Sequence, residues 1–422
     1  MIVIIGGGIS GLALAHQLAA RGRPYLLLEA SDRVGGVMRS GRVDGHLLEW
    51  GPQRGRLTQE FAALVDELDI RDQLITAPTG LPLYVYRRGR LRRVPFSITD
   101  FVRSDILPWP AKFRLLLEPL SGAARDDETV ADFFTRKIGR EAYETLVGPL
   151  YGGLYASDPQ QMIVGLSLRH VLREFSVGRS LMVPLLKRGG SIVPPDACSF
   201  REGMETLPRA LYTRHRDRTR LNSPVRSLSR AGTGYRVETE TDTIAAEHVV
   251  ISVEAPAAAA ILGDVAPDAA SRIAQLHYNP LTVVHLHAET ELRGLGYQVS
   301  LAEPLVTRGV TWNDSLFDRK GVYTVYLGGA KNPWVATESD ERLSEIALAE
   351  FRTATGYDAR VLAVEKEQMP AWDRSWAAIQ QLEVPDGVHI HANWESRPGI
   401  PGRLIMARRL AERLTAGGPQ TD

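Results

Sequence analysis

Cysteine is almost missing: Cys198 is the only one in 422 residues. That excludes an internal disulfide and a multi-cysteine metal site, and it fits a reducing compartment. Net charge is missing too. Fifty basic and 50 acidic residues cancel, so no global field draws the chain to nucleic acid. No apolar run approaches the ~18 residues that would span a bilayer. Histidine pairs occur at His285/His287 and His389/His391. The i,i+2 spacing puts each pair on one face of a strand, but no thiol or acidic cluster stands beside them, so no metal site is expected. What is present is globular in balance, 44% hydrophobic and 24% charged. The length exceeds one ordinary core and implies two or three domains.

The chain opens MIVIIGGGISGLALAHQLAARGRPYLLLEASDRVGG. Ile2 to Ile5 is a short, continuous apolar run, which suits a strand buried on both faces of a parallel sheet. Gly6, Gly8 and Gly11 then make G-x-G-x-x-G, and Leu12, Leu14, Ala15, Leu18 and Ala19 continue at helical spacing up to Gly22. Tyr25 to Leu28 reads as a second strand ending in Glu29. Strand, glycine turn, helix, strand and acid together form the dinucleotide-binding fingerprint in its required context. Gly6 makes the turn, Gly8 lets backbone approach a pyrophosphate, and Gly11 lets helix and sheet pack closely. Gly7, Ile9 and Ser10 complete the turn whose N–H groups face the phosphates. Glu29 is the acceptor for ribose hydroxyls. The stretch after it, with Gly35, Gly36 and Val37, leads into a hairpin with Asp44-Gly45 at its tip and Gly51-Pro52 at its end. A glycine pair followed by a hairpin departs from a nicotinamide domain. It resembles the flavoprotein superfamily of amine oxidases, carotenoid desaturases and protoporphyrinogen oxidases, in which this segment runs along an extended FAD.

The fold class this implies is α/β, or α+β overall. A Rossmann-type FAD-binding domain, discontinuous in sequence, carries an inserted mixed-sheet substrate domain and a helical insert. By pattern, 1–80 is the first part of the FAD-binding domain, and 81–195 is the helical insert and candidate membrane-facing region. The second part of the FAD-binding domain is 196–262, its last strand starting at His248 and rejoining the first sheet. A largely antiparallel substrate domain occupies 263–385, and 386–422 is the third FAD-binding part with a C-terminal helix. The N-terminus reads as a strand rather than a leader. The expected location is the cytoplasm; the stretch PWPAKFRLLLEPL is a candidate lipid contact, with a buried helix under the insert as the favoured reading.

Several further stretches are similar to one branch of that superfamily, in the same order. They are GPLYGGLYASDPQQM, FREGMETLPRAL, GLGYQVS, VYLGGAKNP and KEQMPAWDRSW. They resemble the FAD-dependent protoporphyrinogen and coproporphyrinogen III oxidases. The resemblance implies oxidation of a tetrapyrrole substrate to the porphyrin with FAD and dioxygen. Carried over residue by residue, it assigns FAD contacts to Gly6–Gly11, Glu29, Ala30, Gly35, Gly36, Val37, Gly51, Pro52, Gln53 and Arg54. It adds Val225, Trp376, Pro398, Gly399 and Ile400 to these. Substrate contacts fall on Leu295, Gly296, Gln298 and Tyr326, with Arg397 as a candidate for a propionate or the flavin. No side-chain triad is expected, because the flavin accepts the hydride. Two departures stand out: Leu83 replaces a frequent basic residue, and the final turn reads Ser396-Arg397-Pro398-Gly399-Ile400-Pro401-Gly402. The arginines Arg87, Arg88, Arg90, Arg92 and Arg93 read as a solvated hairpin or as a cluster that contacts carboxylates or anionic lipid. An amine oxidase or desaturase on the same scaffold, or a flavin- or porphyrin-binding protein without turnover, stays open.

Overall fold

A computed structural model describes residues 1–175, 177–187, 196–395 and 399–416. Its centre is a five-stranded sheet in the order Thr219–Arg220, Tyr25–Leu28, Ile2–Ile5, His248–Ile251, Val388–Ile390. Every neighbouring pair is parallel. Strands from three distant parts of the chain therefore share one sheet, and the strand from His248 does rejoin the first. Their continuous apolar runs are explained by burial on both sides. Helices Ile9–Ala20, Thr206–His215 and Ile400–Ala416 cover one face through Leu12, Leu207, Leu211, Leu404 and Leu410. The other face packs on a three-stranded antiparallel sheet through Val3, Ile5, Val249, Leu228 and Val237.

A second sheet has seven strands, in the order Arg360–Pro370, Tyr278–His287, Val322–Gly328, Thr307–Trp312, Gly296–Val299, Leu83–Arg87, Arg90–Arg93. Its pairs are antiparallel except Gly296–Val299 with Leu83–Arg87. One face is dry: helix Asp340–Thr355 lays Leu343, Ala347 and Phe351 on Val284, Val325 and Tyr297. The other face turns to the parallel-sheet domain. Here the structure departs from the sequence reading. The hairpin Leu83–Arg93 was grouped with the helices of 81–195, yet its hydrogen bonds make it the edge of this sheet. Helices begin only at Ile98 and continue through Trp109–Leu115, Val130–Ile138 and Gly148–Tyr155.

Four histidines are withdrawn from water in this frame, His389 only in part, and desolvation pulls each below the ordinary imidazole value. His215 falls to about 4, with His16 adding to the effect; His285 to about 4, with Arg319; His389 to about 4, with His248; and His391 to about 3, with Arg403. The folded state holds them neutral, while an unfolded chain protonates them near about 6.5. The unfolded state therefore binds more protons below that value. The stabilisation is complete above it and is lost as pH falls towards 4. Denaturant unfolding at about pH 7.5 and about pH 5, with FAD held constant, should give the lower stability at the acid value. Equal stability at both would remove the neutral histidines from the account.

Candidate functional site

The glycine turn shows three different reasons for glycine. Gly6 has φ +111°, and a Cβ there would lie 2.5 Å from the Ser252 carbonyl oxygen. Gly11 would put a Cβ 2.0 Å from the Gly6 oxygen, so helix and turn approach only over bare backbone. Gly8 is unlike either. Its φ of −68° suits any residue, and a Cβ would meet nothing within 4 Å. Neither conformation nor protein packing requires glycine at Gly8, whereas a ligand lying on the turn would. Gly8 is also the cap of helix Ile9–Ala20 and offers no side-chain acceptor to its first N–H groups, which is the arrangement that binds phosphate. The Gly7 N–H donates to Glu29 Oε2 at 2.6 Å, and Glu29 Oε1 accepts from Ser31 N and Oγ at 2.9 and 2.8 Å. Glu29 is thus held rigidly at the end of the second strand, next to exposed Ala30. The Ser223 N–H donates to the Glu29 carbonyl. That brings Val225 close, where the pairing with Thr239 slips by a residue.

A continuous track of contacts leads away from this turn. The Gly35 N–H donates to Gly7 O at 2.9 Å, and Gly36 sits over Gly8, a Cβ on it lying 3.5 Å from the Gly8 Cα. Next comes Val37, whose side chain is exposed and whose carbonyl presses on Gly51. Past Pro52, Gln53 is buried and fully used. Its Nε2 donates to the Glu49 carbonyl at 2.7 Å, and its Oε1 accepts from Asn313 Nδ2 and Thr324 Oγ1, both at 2.9 Å. Gln53 is therefore a structural tie to the seven-stranded sheet. Arg54 follows, its Nη1 buried without a partner beside Tyr326. Tyr326 and Gln298 both stand opposite Gly309, so the three share one face of the sheet. From the far side helix Gly148–Tyr155 presses Gly153 onto Gln298, a Cβ there falling 2.0 Å from Oε1.

Other expected residues sit elsewhere. Gly296 is glycine because its φ is +125° and a Cβ would strike the Val310 carbonyl at 2.0 Å. Leu295 packs in a small apolar cluster with Leu316 and Phe317 rather than beside Gln298. Trp376 is buried against Trp372, ring centroids 5.1 Å apart, and donates Nε1–H to the Trp394 carbonyl at 2.9 Å. Arg397 and Pro398 lie outside the described residues. Gly399 has φ +93° and precedes helix Ile400–Ala416, in which Ile400 is buried. The arginine hairpin is not free for a ligand at two of its members. Buried Arg87 donates to the Ile106 carbonyl and pairs with Glu141, and Arg92 pairs with Asp105. These pairs rivet the hairpin to the helical region.

Some polar groups along this seam were given no role by the sequence reading, which took His285 only as half of a histidine pair. Arg403, in the first turn of the last helix, is buried and pulled down to about 10 by burial; it donates to the Ala392 carbonyl. Arg308 is buried beside Gly152. His285 Nε2 and Asn313 Oδ1 lie buried without partners. A histidine alternating inside LTVVHLHAE was the available signal for His285; Arg403 gave none.

The glycine track fits an extended dinucleotide, and the two kinds of glycine separate its effects. Gly8→Val should abolish FAD retention while the apoprotein still folds, because the space filled is the ligand's. Gly11→Ala should lower the stability of the fold itself, because the new Cβ collides with backbone. Both are read by bound-flavin absorbance and apoprotein unfolding. Equal FAD retention by the Gly8→Val protein would dismiss the turn as the pyrophosphate site.

Comparison with known proteins agrees with this geometry. Residues 9–398 match the family model of flavin containing amine oxidoreductases. The chain is 26% identical over 393 residues to protoporphyrinogen oxidase 1, chloroplastic, of Spinacia oleracea, covering 83% of this chain and 70% of the relative. It is 25% identical over 387 residues to coproporphyrinogen III oxidase of Bacillus subtilis, covering 83% and 82%. In fold, it is similar to a provisionally named protoporphyrinogen oxidase from Exiguobacterium sp. 255-15, with TM-score 0.78, 21% identity and 99% of each chain covered. Wild-type putrescine oxidase bound to putrescine follows with TM-score 0.73, 18% identity and 98% of each chain. A family model spanning nearly the whole chain, over a glycine turn with room left for a ligand, makes this chain an FAD-dependent oxidoreductase that belongs to the flavin-containing amine oxidoreductase family.

Proposed function

We propose that this enzyme oxidises a porphyrinogen, coproporphyrinogen III or protoporphyrinogen IX, to the porphyrin, with dioxygen as the electron acceptor, as a step of haem biosynthesis. The observation that carries the reading is that curated relatives with those activities align along more than four-fifths of the chain. The reaction takes six electrons and six protons from the macrocycle in three rounds, the flavin supplying the hydride acceptor and dioxygen leaving as peroxide. The chain's own part is to hold and to polarise. Gly6–Gly11 with the start of helix Ile9–Ala20 take the pyrophosphate, and Glu29 takes the ribose. The backbone of Val225 takes the adenine, and the run from Gly35 to Pro52 lies along the length of the cofactor. The start of helix Ile400–Ala416, reinforced by buried Arg403, supplies positive potential for the flavin ring. Arg54, Gln298 and Tyr326 belong to the substrate side. An amine-oxidase reading is weaker, because Trp372 and Trp376 stack directly on each other and leave no gap for an amine between them.

Cys198 is buried, and burial pushes its thiol up to about 12, so it is no nucleophile towards the cofactor. FAD should therefore be held non-covalently. Acid precipitation should release all the yellow colour, and the holoprotein should convert a porphyrinogen to fluorescent porphyrin with oxygen uptake, above the autoxidation rate. Colour retained on the denatured chain, or no turnover above autoxidation, would count against these assignments.

We also propose peripheral contact with a lipid surface by a cytoplasmic protein. No helix among the described residues is long and apolar enough to cross a membrane. Yet ten of the thirteen exposed large hydrophobics of the described residues lie between Val102 and Leu186. The segment 108–120 is turned inside out: its exposed residues are all apolar, Phe113, Leu116 and Leu120 among them, while its charges point inward. Lys112 donates to the Val102 and Ser104 carbonyls, Arg114 to the Arg136 carbonyl, and Glu118 pairs with Lys137 at 3.0 Å. Water gives no reason for that arrangement, and a hydrocarbon boundary does. An uncharged face should bind zwitterionic vesicles with little salt dependence. Replacing Trp109, Phe113, Leu116 and Leu120 by serine should release the protein from sedimented vesicles without loss of FAD. A wild-type protein that stays in the supernatant would exclude the lipid contact.

A further inference from the structure

Buried cations in this fold come with partners. Arg319 meets Glu49 at 2.6 Å, Lys137 meets Glu118 at 3.0 Å, and Arg87 meets Glu141. Arg54 breaks the pattern. Its Nη1 is buried and makes no hydrogen bond. The neighbours that act on it electrostatically are the Tyr326 phenol and a second cation, Arg56. Burial pushes the Tyr326 phenol up to about 12, so it stays neutral and leaves the positive charge uncompensated. A guanidinium does not shed its proton in a protein, and Arg54, half-buried as a whole, keeps at Nη1 a buried donor with no acceptor, which is unfavourable. A ligand that brings an acceptor to Nη1 would satisfy it.

Position decides which ligand. Arg54 stands at the end of the track that begins at Gly8, on the side of the seven-stranded sheet and away from the pyrophosphate turn. The face it meets carries two more polar groups without full protein partners. Tyr326 shares only Thr311 Oγ1 at 3.1 Å, and the Oε1 of Gln298 is buried and unsatisfied. Between them Gly309 is bare, and a Cβ there would lie 3.0 Å from Gln298 Oε1. An oxidised flavin ring is neutral at physiological pH and offers a guanidinium no charge. A carboxylate does, and it accepts from a planar fork of donors with matching geometry.

We propose that Arg54 binds one carboxylate of the substrate, with the Tyr326 hydroxyl as a neutral donor beside it, and so fixes which edge of the substrate enters the seam. The inference rests on the porphyrinogen reading above and adds the residue that would read the propionate. It moves Arg54 from the cofactor, where the sequence resemblance put it, to the substrate. Gln53 remains the structural tie, since its amide is already committed to Glu49, Asn313 and Thr324.

The test uses the holoenzyme and three substrates: coproporphyrinogen III, protoporphyrinogen IX and the tetramethyl ester of coproporphyrinogen, dispersed in detergent. Arg54→Gln and Arg54→Lys are compared with wild type for FAD content, flavin spectrum, kcat and KM. The Gln protein should keep its FAD and spectrum and raise KM for both free acids roughly ten- to hundred-fold. The Lys protein should fall between it and wild type. The ester, with no anion to offer, should be turned over alike by all three proteins. A wild type that oxidises no porphyrinogen overturns the porphyrinogen reading and this inference with it. A wild type that turns over, beside variants whose free-acid KM is unchanged, overturns Arg54 alone. So do variants that slow ester and acid equally, or that lose flavin or alter its spectrum, since those results place Arg54 on the cofactor. Should the Gln protein fail to fold, the acid-to-ester ratio of the Lys protein decides.

Discussion

Glu49 and Arg319 form an ion pair 2.6 Å long with both side chains almost wholly out of water, and the geometry of the seam hangs on it. Glu49 ends the hairpin of the nucleotide domain, and Arg319 precedes a central strand of the second sheet. Burial pushes the Glu49 carboxyl upward; Arg319, the Ser40 hydroxyl and the Met204 N–H oppose that shift. Arg319 also donates to Ser199, on a third stretch of chain. A buried pair of this kind adds little net stability over apolar packing. What it does supply is registry, because neither charge tolerates being moved from the other. With that pair fixed, Gln53 reaches Asn313 and Thr324, and Arg54 is carried to Tyr326.

Much of this was legible along the chain. The opening strand, the glycine turn and Glu29 are local in sequence, and local spacing determines them. The strand from His248 could be assigned to the first sheet because an apolar run without alternation has few places to go. The hairpin Leu83–Arg93 could not be placed the same way. Its partner strand, Gly296–Val299, lies more than two hundred residues away, and parallel pairing leaves no turn between them to read. Charge was misleading for a related reason. An arginine in a sequence carries no record of its partner, so Arg87, riveted to Glu141, looked like Arg90, which is exposed. Arg403 looked like one more solvated position on an amphipathic helix. The inversion of 108–120 was hidden because the groups that satisfy Lys112, Arg114 and Glu118 come from elsewhere in the helical region.

The chain that emerges does its chemistry by placement. Along the track from Gly8 to Tyr326 there is no nucleophile next to a base, and Cys198 is locked as a neutral thiol. Glycines make room, and Gln53 fixes the spacing of two domains. Buried Arg403 and half-buried Arg54 put positive charge at the two ends of the seam. Such a seam suits a reaction whose difficult step belongs to the cofactor, with the protein selecting what lies against it.

The central claim is that a porphyrinogen in this seam gives its electrons directly to the bound flavin. Mixing the holoprotein with a porphyrinogen in the strict absence of oxygen, and following the visible flavin band, addresses it without any contribution from autoxidation. The account predicts that the band bleaches on mixing with the porphyrinogen, stays unchanged with an amine, and returns when oxygen is admitted. Bleaching by an amine alone, or by nothing, would contradict it.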